Sequence, residues 1–187
     1  APSVDLDANN SSTATGNNYL TSYTEGGAAA AIADTDVAIT DPDSANMVSA
    51  TIVLTNAKTG DVLSVGTLPA GISSSVDTSV SGQITVTLTG SATKANYETA
   101  LKAVTFSSTN SNPDTTTRTV TVKVNDGTSD SATATTSITF SAVDNAPSVD
   151  LDANNSSTAT GNNYLTSYTE GGAAAAIADT DVAITDP

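Results

Sequence analysis

The chain has 187 residues and carries 17 Asp and 3 Glu against five Lys and Arg, for a net charge of −15 and a pI near 4.1. Neither Cys nor His occurs, which excludes disulfides, thiolate chemistry, zinc held by Cys or His, and a histidine general base. So acidic a chain is not expected to bind nucleic acid or an anionic membrane, both of which need clustered cations, and no apolar run approaches the roughly 18 residues of a membrane span.

From the N-terminus, residues 1–17 read as a linker or first strand, and "ANNSSTATGNN" (Ala8–Asn18) as a loop by composition. Strand patterns follow at Asp36–Asp41, Met47–Thr55, Asp61–Leu68 and Gly82–Gly90, and then at Ala103–Thr109, Thr117–Asn125 and Ala132–Val143. In "TRTVTVKV" the valines Val120, Val122 and Val124 share one face, and Thr119, Thr121 and Lys123 take the other: one side in a core, one in water. "NAKTG", "LPAG", "NSNPD" and "NDG" punctuate the runs as turns. One stretch departs from period two. "TKANYETALKAV" spaces Tyr97, Leu101 and Val104 at i, i+4 and i+7 behind Thr93, which predicts a short helix with Thr93 as its N-cap. The fold class expected is all-β: an immunoglobulin- or cadherin-like β-sandwich with one short helix, its core mainly Val, Ile, Leu and Ala because aromatic residues are only 4% of the chain.

The chain then begins again. Residues 146–187 reproduce residues 1–42 letter for letter, at an offset of 145. That period suits a whole domain plus its linker, so the chain is expected to be one period and the opening of the next, drawn from a longer tandem array. The domain expected is 18–145, with 146–187 as the start of the next repeat; the alternative is a sandwich formed by 43–187.

Many acids come in i, i+2 pairs: Asp5/Asp7, Asp34/Asp36 and Asp41/Asp43, with Asp150/Asp152 and Asp179/Asp181 in the second copy. In extended chain such a pair aims two carboxylates to one side, where each raises the other's pKa unless a cation lies between them. Oxygen ligands without His or Cys suit a hard ion, and several flexible carboxylates suit Ca2+ over Mg2+. Neither the EF-hand spacing nor the glycine-rich nonapeptide of calcium β-rolls is present.

"VDNAP" (Val143–Pro147) resembles the end of the cadherin interdomain linker, "TEGG" (Thr24–Gly27) the early glutamate of a cadherin repeat, and "ITDPDSAN" (Ile39–Asn46) its Asp-x-Asp motif. "VNDGTSDSATATTSITFSAVDNAP" (Val124–Pro147) resembles its last two strands. The resemblance covers about 125 residues, Tyr23 to Pro147, and the whole period is similar to the extender repeats of large bacterial RTX adhesins, which are secreted and hold a binding domain away from the cell. It implies Ca2+ between successive domains, with Glu25, Asp144 and Asn145 facing one junction and Asp41, Asp43, Asn46 and Asp126 the other. Glu170 and Asp186 are the second-copy counterparts of Glu25 and Asp41. The linker's first Asp and first Asn are replaced by Ser141 and Val143, which implies one or two ions per junction. Asp5 and Asp7, just past the linker proline, join the candidate ligands; Asp34 and Asp36 have no counterpart in the motif and read equally as solvated turn acids or as ligands.

The function these features predict is structural: an extender domain in the stalk of a secreted, cell-surface adhesin, stiffened by Ca2+ and partnered by neighbouring identical repeats. An enzyme is not expected, since paired carboxylates that cleave sugars need a cleft usually lined with aromatic rings, and the chain has no Trp and only seven Tyr and Phe. The alternative is a Ca2+-dependent carbohydrate- or surface-binding module with Tyr19, Tyr23 or Tyr97 stacking on a glycan ring, against which stands the reading of those tyrosines as packing residues.

Overall fold

Residues 1–186 are described by a computed structural model, in which the chain divides into two compact units, Ala1–Val143 and a second from Asp144 onward. The first unit runs β1 (Ser3–Asp5), β2 (Tyr19–Thr24), β3 (Ala30–Ala31), β4 (Ala38–Thr40), β5 (Asn46–Leu54), β6 (Asp61–Val65), β7 (Ser73–Asp77) and β8 (Ile84–Thr93). It continues through α1 (Lys94–Lys102), β9 (Val104–Ser108), β10 (Arg118–Asn125) and β11 (Ala134–Ser141). The second unit has β12 (Ser148–Asp150) and β13 (Ala183–Thr185). Residues 1–17, by sequence a linker or first strand, supply the buried Val4 and Leu6 to the first unit's core.

The fold of the first unit is an all-β sandwich with one short helix. Six strands form one sheet in the order β2-β11-β10-β5-β8-β7, and three form the other in the order β3-β9-β6; β1 and β4 make a separate two-stranded ribbon. All pairs are antiparallel except β2 with β11, which is parallel from Tyr19↔Thr136 to Thr24↔Ser141. The alternation read from sequence sets the inner face. Val120, Val122 and Val124 of β10, Ala50, Ile52 and Leu54 of β5, and Ile84, Val86 and Leu88 of β8 are buried, and Lys123 is exposed. β7, "SSSVD", is exposed throughout and has no apolar alternation by which sequence could mark it as a strand.

Three aromatic rings join the sheets. Tyr23 meets Phe106 edge-on at 5.3 Å and Phe140 at 5.1 Å between centroids, and its hydroxyl donates to the Ser108 carbonyl at 3.1 Å. Helix α1 begins where predicted: Thr93 Oγ1 accepts the Asn96 amide at 3.3 Å, and Tyr97 and Leu101 are fully buried. The Tyr97 hydroxyl donates to the Gly90 carbonyl at 2.8 Å, and burial pushes its pKa up to about 12. Gly90 is fixed by geometry, since φ is 134° and a Cβ there would lie 1.9 Å from the Gly71 carbonyl oxygen.

The sheets are also tied by a buried ion pair. Arg118 on β10 donates from Nε to Asp61 Oδ2 on β6 at 2.6 Å and from its terminal nitrogens to Asp61 Oδ1 and the Thr116 carbonyl, with its guanidinium 5.0 Å above the Phe140 ring. Neither side chain is exposed. Removing one partner strands the other's charge, whereas replacing both with apolar groups of similar volume is often neutral. Asp61→Asn or Arg118→Met alone is therefore expected to cost about 3–5 kcal/mol in urea unfolding, and Asp61→Leu with Arg118→Met to recover most of it.

Candidate metal centre

Pairing of β1 with β4 brings Asp5 opposite Ala38, so the residues just beyond the two strands meet. The backbone closes the same corner: the Leu6 amide donates to the Asn17 carbonyl and the Asp34 amide to the Leu6 carbonyl, at 3.0 and 2.8 Å. One oxygen of each of Asp7, Asp34 and Asp36 lies within 4.8 Å of the others. Asp7 has 0% exposure. Its Oδ1 accepts the Ser11 amide at 3.0 Å, and its Oδ2 accepts the Ser12 amide at 2.9 Å and the Ser12 hydroxyl at 2.5 Å. The Ser12 hydroxyl, followed by the two amides, holds the Asp7 carboxyl below its ordinary value, against the opposing pull of burial. Ser11 Oγ donates to Asp34 Oδ2 at 2.8 Å and the Asn9 amide to Asp36 Oδ2 at 2.8 Å. Asp36 Oδ1 is shielded from solvent and has no hydrogen-bond partner.

The second copy repeats this pocket bond for bond. Ser156 and Ser157 donate to Asp152, Ser156 Oγ to Asp179 at 2.6 Å, and the Asn154 amide to Asp181 at 2.9 Å. Asp152 is again fully buried and Asp181 Oδ1 again has no partner. The loop read from composition as linker is thus folded around a carboxylate in both copies. Its Asn10 and Thr13 take left-handed backbone, with φ of 55° and 69°.

A second acidic group lies where β4 runs out. Asp41 is 7% exposed; its Oδ1 accepts the Asp43 and Ser44 amides at 2.9 and 3.3 Å, while Oδ2 is buried without a partner. The Asp126 side chain lies against that of Asp41. The Ser129 and Thr128 amides, chiefly, and then the Asp41 carboxyl hold the Asp126 carboxyl below its usual range. Lys94 is the nearby cation, but its ammonium donates to the Asp41 and Ser44 carbonyls at 3.0 and 3.1 Å, and no Lys94–carboxylate ion pair occurs among the described residues. Each of these places offers carboxylate oxygens with one left without a hydrogen-bond partner, and Asp7, Asp34 and Asp36 are grouped closely enough to hold a metal ion.

The remaining sequence candidates have other surroundings. Asp5 accepts the Asp7 amide at 3.1 Å and lies outside the close group of three. Asp43 and Asn46 are exposed, Asp43 with its amide donating to Asp41 Oδ1 and Asn46 at the start of β5. Glu25 accepts the Val143 amide at 2.9 Å, beside the β11 terminus. Asp144 is exposed and Asn145 half-buried at the opening of the second unit, and Glu170 and Asp186 are exposed within it. Asp34 and Asp36, which the sequence leaves equally open as turn acids or ligands, are joined to Asp7 only by the fold: 27 residues separate Asp7 from Asp34, and spacing carries no signal that β1 and β4 bring them together. Tyr23 and Tyr97 are buried as packing residues, and Tyr19 is half-buried. Compared with protein-family models, curated proteins and solved structures, the chain matches none.

The depressed Asp7 carboxyl has a pH consequence. An unfolded Asp takes up its proton near 3.9, so between that value and the lower folded one the native state binds fewer protons. This contribution to stability is full above the unfolded pKa and is lost as pH falls through the folded one. Thermal unfolding is expected to shift downward on acidification below about pH 4, and Asp7→Asn to flatten part of that shift while lowering Tm at neutral pH.

Proposed function

We propose that this chain is a structural repeat module: a β-sandwich whose acidic pockets take up Ca2+ and stiffen it as one segment of an extended, secreted adhesin stalk, with identical repeats as its neighbours. The observation that carries the reading is the faithful repetition of the acidic pocket. The two 42-residue copies fold the same hydrogen-bond network around a sealed carboxylate and leave the same oxygen, Asp36 Oδ1 or Asp181 Oδ1, without a partner. A buried carboxylate oxygen with no donor is costly. A divalent cation bridging Asp7, Asp34 and Asp36 would supply its partner and offset the repulsion of three carboxylates. Asp41 and Asp126 form the second site, with Asp43, whose amide already meets Asp41, and Asn46 as the further ligands the sequence offers.

Tandem identity supports a mechanical role over recognition: many copies build length, whereas recognition usually concentrates in one specialised domain. Tyr23 and Tyr97 of the first unit are buried and so are not open to stack on a glycan. Extracellular modules bind calcium at roughly 10⁻⁴–10⁻³ M, so dilute cytosolic calcium would leave the sites empty and outside concentrations would fill them. The negative charge that remains keeps neighbouring stalks apart.

Ca2+ at ten times its dissociation constant stabilises by about 1.4 kcal/mol per site, which for a unit of this size is about 5 °C in Tm. Unfolding in millimolar CaCl2 and in excess chelator, with NaCl matched for ionic strength, should show that rise in calcium alone. Asp34→Asn with Asp36→Asn should lower Tm in calcium yet leave it unchanged or higher in chelator, because neutralisation relieves like-charge repulsion when no ion is bound. Asp41→Asn with Asp126→Asn should do the same. Equal losses in both buffers would remove calcium from the function.

A further inference from the structure

Helix α1 carries a charge pattern that its own surface does not use. Lys94, Glu98 and Lys102 follow one another at i, i+4 and i+8, the spacing at which opposite charges pair along a helix face. Among the described residues no ion pair joins them. All three reach instead to the main chain of one segment. Lys102 Nζ donates to the Thr35 carbonyl at 3.3 Å, and Glu98 Oε1 accepts the Ile39 amide at 2.8 Å. Lys94 Nζ donates to the Asp41 and Ser44 carbonyls at 3.0 and 3.1 Å.

That segment is β4 with its flanks. β1 pairs with β4 along one edge, from Ser3↔Thr40 to Asp5↔Ala38, and among the described residues no strand takes the other. Alternate residues of an extended chain turn their amide and carbonyl to the same edge. Ile39 and Asp41, two apart, present theirs to the edge that β1 leaves open, and α1 closes it with side chains in place of a strand. Asp34 and Asp36 lie just before β4 and Asp41 just after it, so the stretch that α1 holds runs from one acidic group to the other.

We infer that α1 positions both acidic groups, with Glu98 as the positioning residue they share. Glu98 is not among the acids that converge; it fixes where the carboxylates at the two ends of β4 sit. The contacts divide the labour. Lys94 holds the Asp41 end, by the carbonyl of the residue whose Oδ2 lacks a partner. Lys102 holds the other end, by the carbonyl of the residue between Asp34 and Asp36. Glu98 grips the centre, where Ile39 is buried and solvent cannot replace a lost acceptor. Loss of either lysine is therefore felt at one end, and loss of Glu98 at both.

The test follows single amides of the full chain by NMR, first in excess chelator and then on titration with CaCl2. The Asn9 amide, on Asp36, reports one end; the Asp43 and Ser44 amides, on Asp41, report the other. The Asn154 amide, on Asp181 in the second unit, is the internal reference. Glu98→Leu keeps a good helix former and removes the acceptor. In chelator it is expected to speed hydrogen exchange at Ile39 and at both ends by about tenfold, with Asn154 unchanged. In calcium it should weaken binding at both ends by roughly 10–100-fold, the usual cost of losing a partner behind the ligands. Glu98→Gln keeps an acceptor oxygen and should restore both. Lys94→Met should act at the Asp41 end alone, and Lys102→Met at the Asp36 end alone. Asp61→Asn, which weakens the sandwich elsewhere, should lower Tm without weakening calcium binding at either end, and so separates positioning from general loss of stability.

Should Glu98→Leu fail to fold, the two lysine variants carry the test, each required to act at its own end. The calcium arm rests on the function proposed above and the chelator arm does not: amides that never respond to calcium would remove the ion and leave positioning to be decided by exchange. Glu98→Leu leaving either end at the unsubstituted exchange rate, or Glu98→Gln failing to restore it, would overturn the inference.

Discussion

A carboxylate sealed from water governs the region on which the functional reading depends. Asp7 has no exposure and no basic partner; its charge is met by two serine amides and a serine hydroxyl. Those donors sit within five residues of it, so the loop after β1 must fold back over the aspartate whose charge it satisfies. Folding back delivers Ser11 to Asp34 and the Asn9 amide to Asp36. Three carboxylates are thus collected by hydrogen bonds that each need only local chain, once β1 has paired with β4. This is why the second copy builds the same pocket with only β12 and β13 beside it.

The same comparison separates local from tertiary structure within one sequence. The acidic loop and the short ribbon persist in both copies. β2 and β3 do not: residues 164–169 and 175–176 carry no strand, although their letters are those of Tyr19–Thr24 and Ala30–Ala31. A strand that pairs in parallel has no hairpin partner close in sequence, so β2 exists only because β11 stands beside it. The apolar residues of the second copy are exposed for that reason, not for lack of pattern.

Legibility from sequence divides along the same line. Valine alternation in "TRTVTVKV" and the i, i+4, i+7 spacing of Tyr97, Leu101 and Val104 are local signals, and the strand, the helix and their buried faces follow from them. β2 and β7 were not legible. "YLTSYT" and "SSSVD" are edge strands, rich in hydroxyls, and the sheet they join is assembled from distant chain. At the candidate site, pairing of acids at i, i+2 drew attention to strand ends but could not say which pairs meet. Asp34 and Asp36 converge on Asp7 across a long loop, whereas Asp5 turns its carboxylate to the Asp7 amide. Composition marked Ala8–Asn18 as linker because Asn, Ser and Thr are frequent in flexible chain, yet the same side chains and their amides become the donors once a carboxylate is present to organise them.

The fold handles buried carboxylates in three distinct ways, and the contrast bears on what the acids are for. Asp61 receives a buried arginine, a permanent internal counter-charge that ties two sheets together. Asp7 receives hydroxyl and amide donors, enough to keep it ionised without a cation. Asp36 and Asp41 each keep an oxygen shielded from water and facing no donor, though Lys94 lies close enough to the second to have served and instead spends its ammonium on main-chain carbonyls. A chain with only five cations cannot neutralise twenty acids internally. Where permanent rigidity is needed it commits an arginine, and at the pockets it leaves negative charge unanswered. Under the function proposed above, a cation from solution would supply that missing charge, and stiffness would then be a property the surroundings grant or withhold.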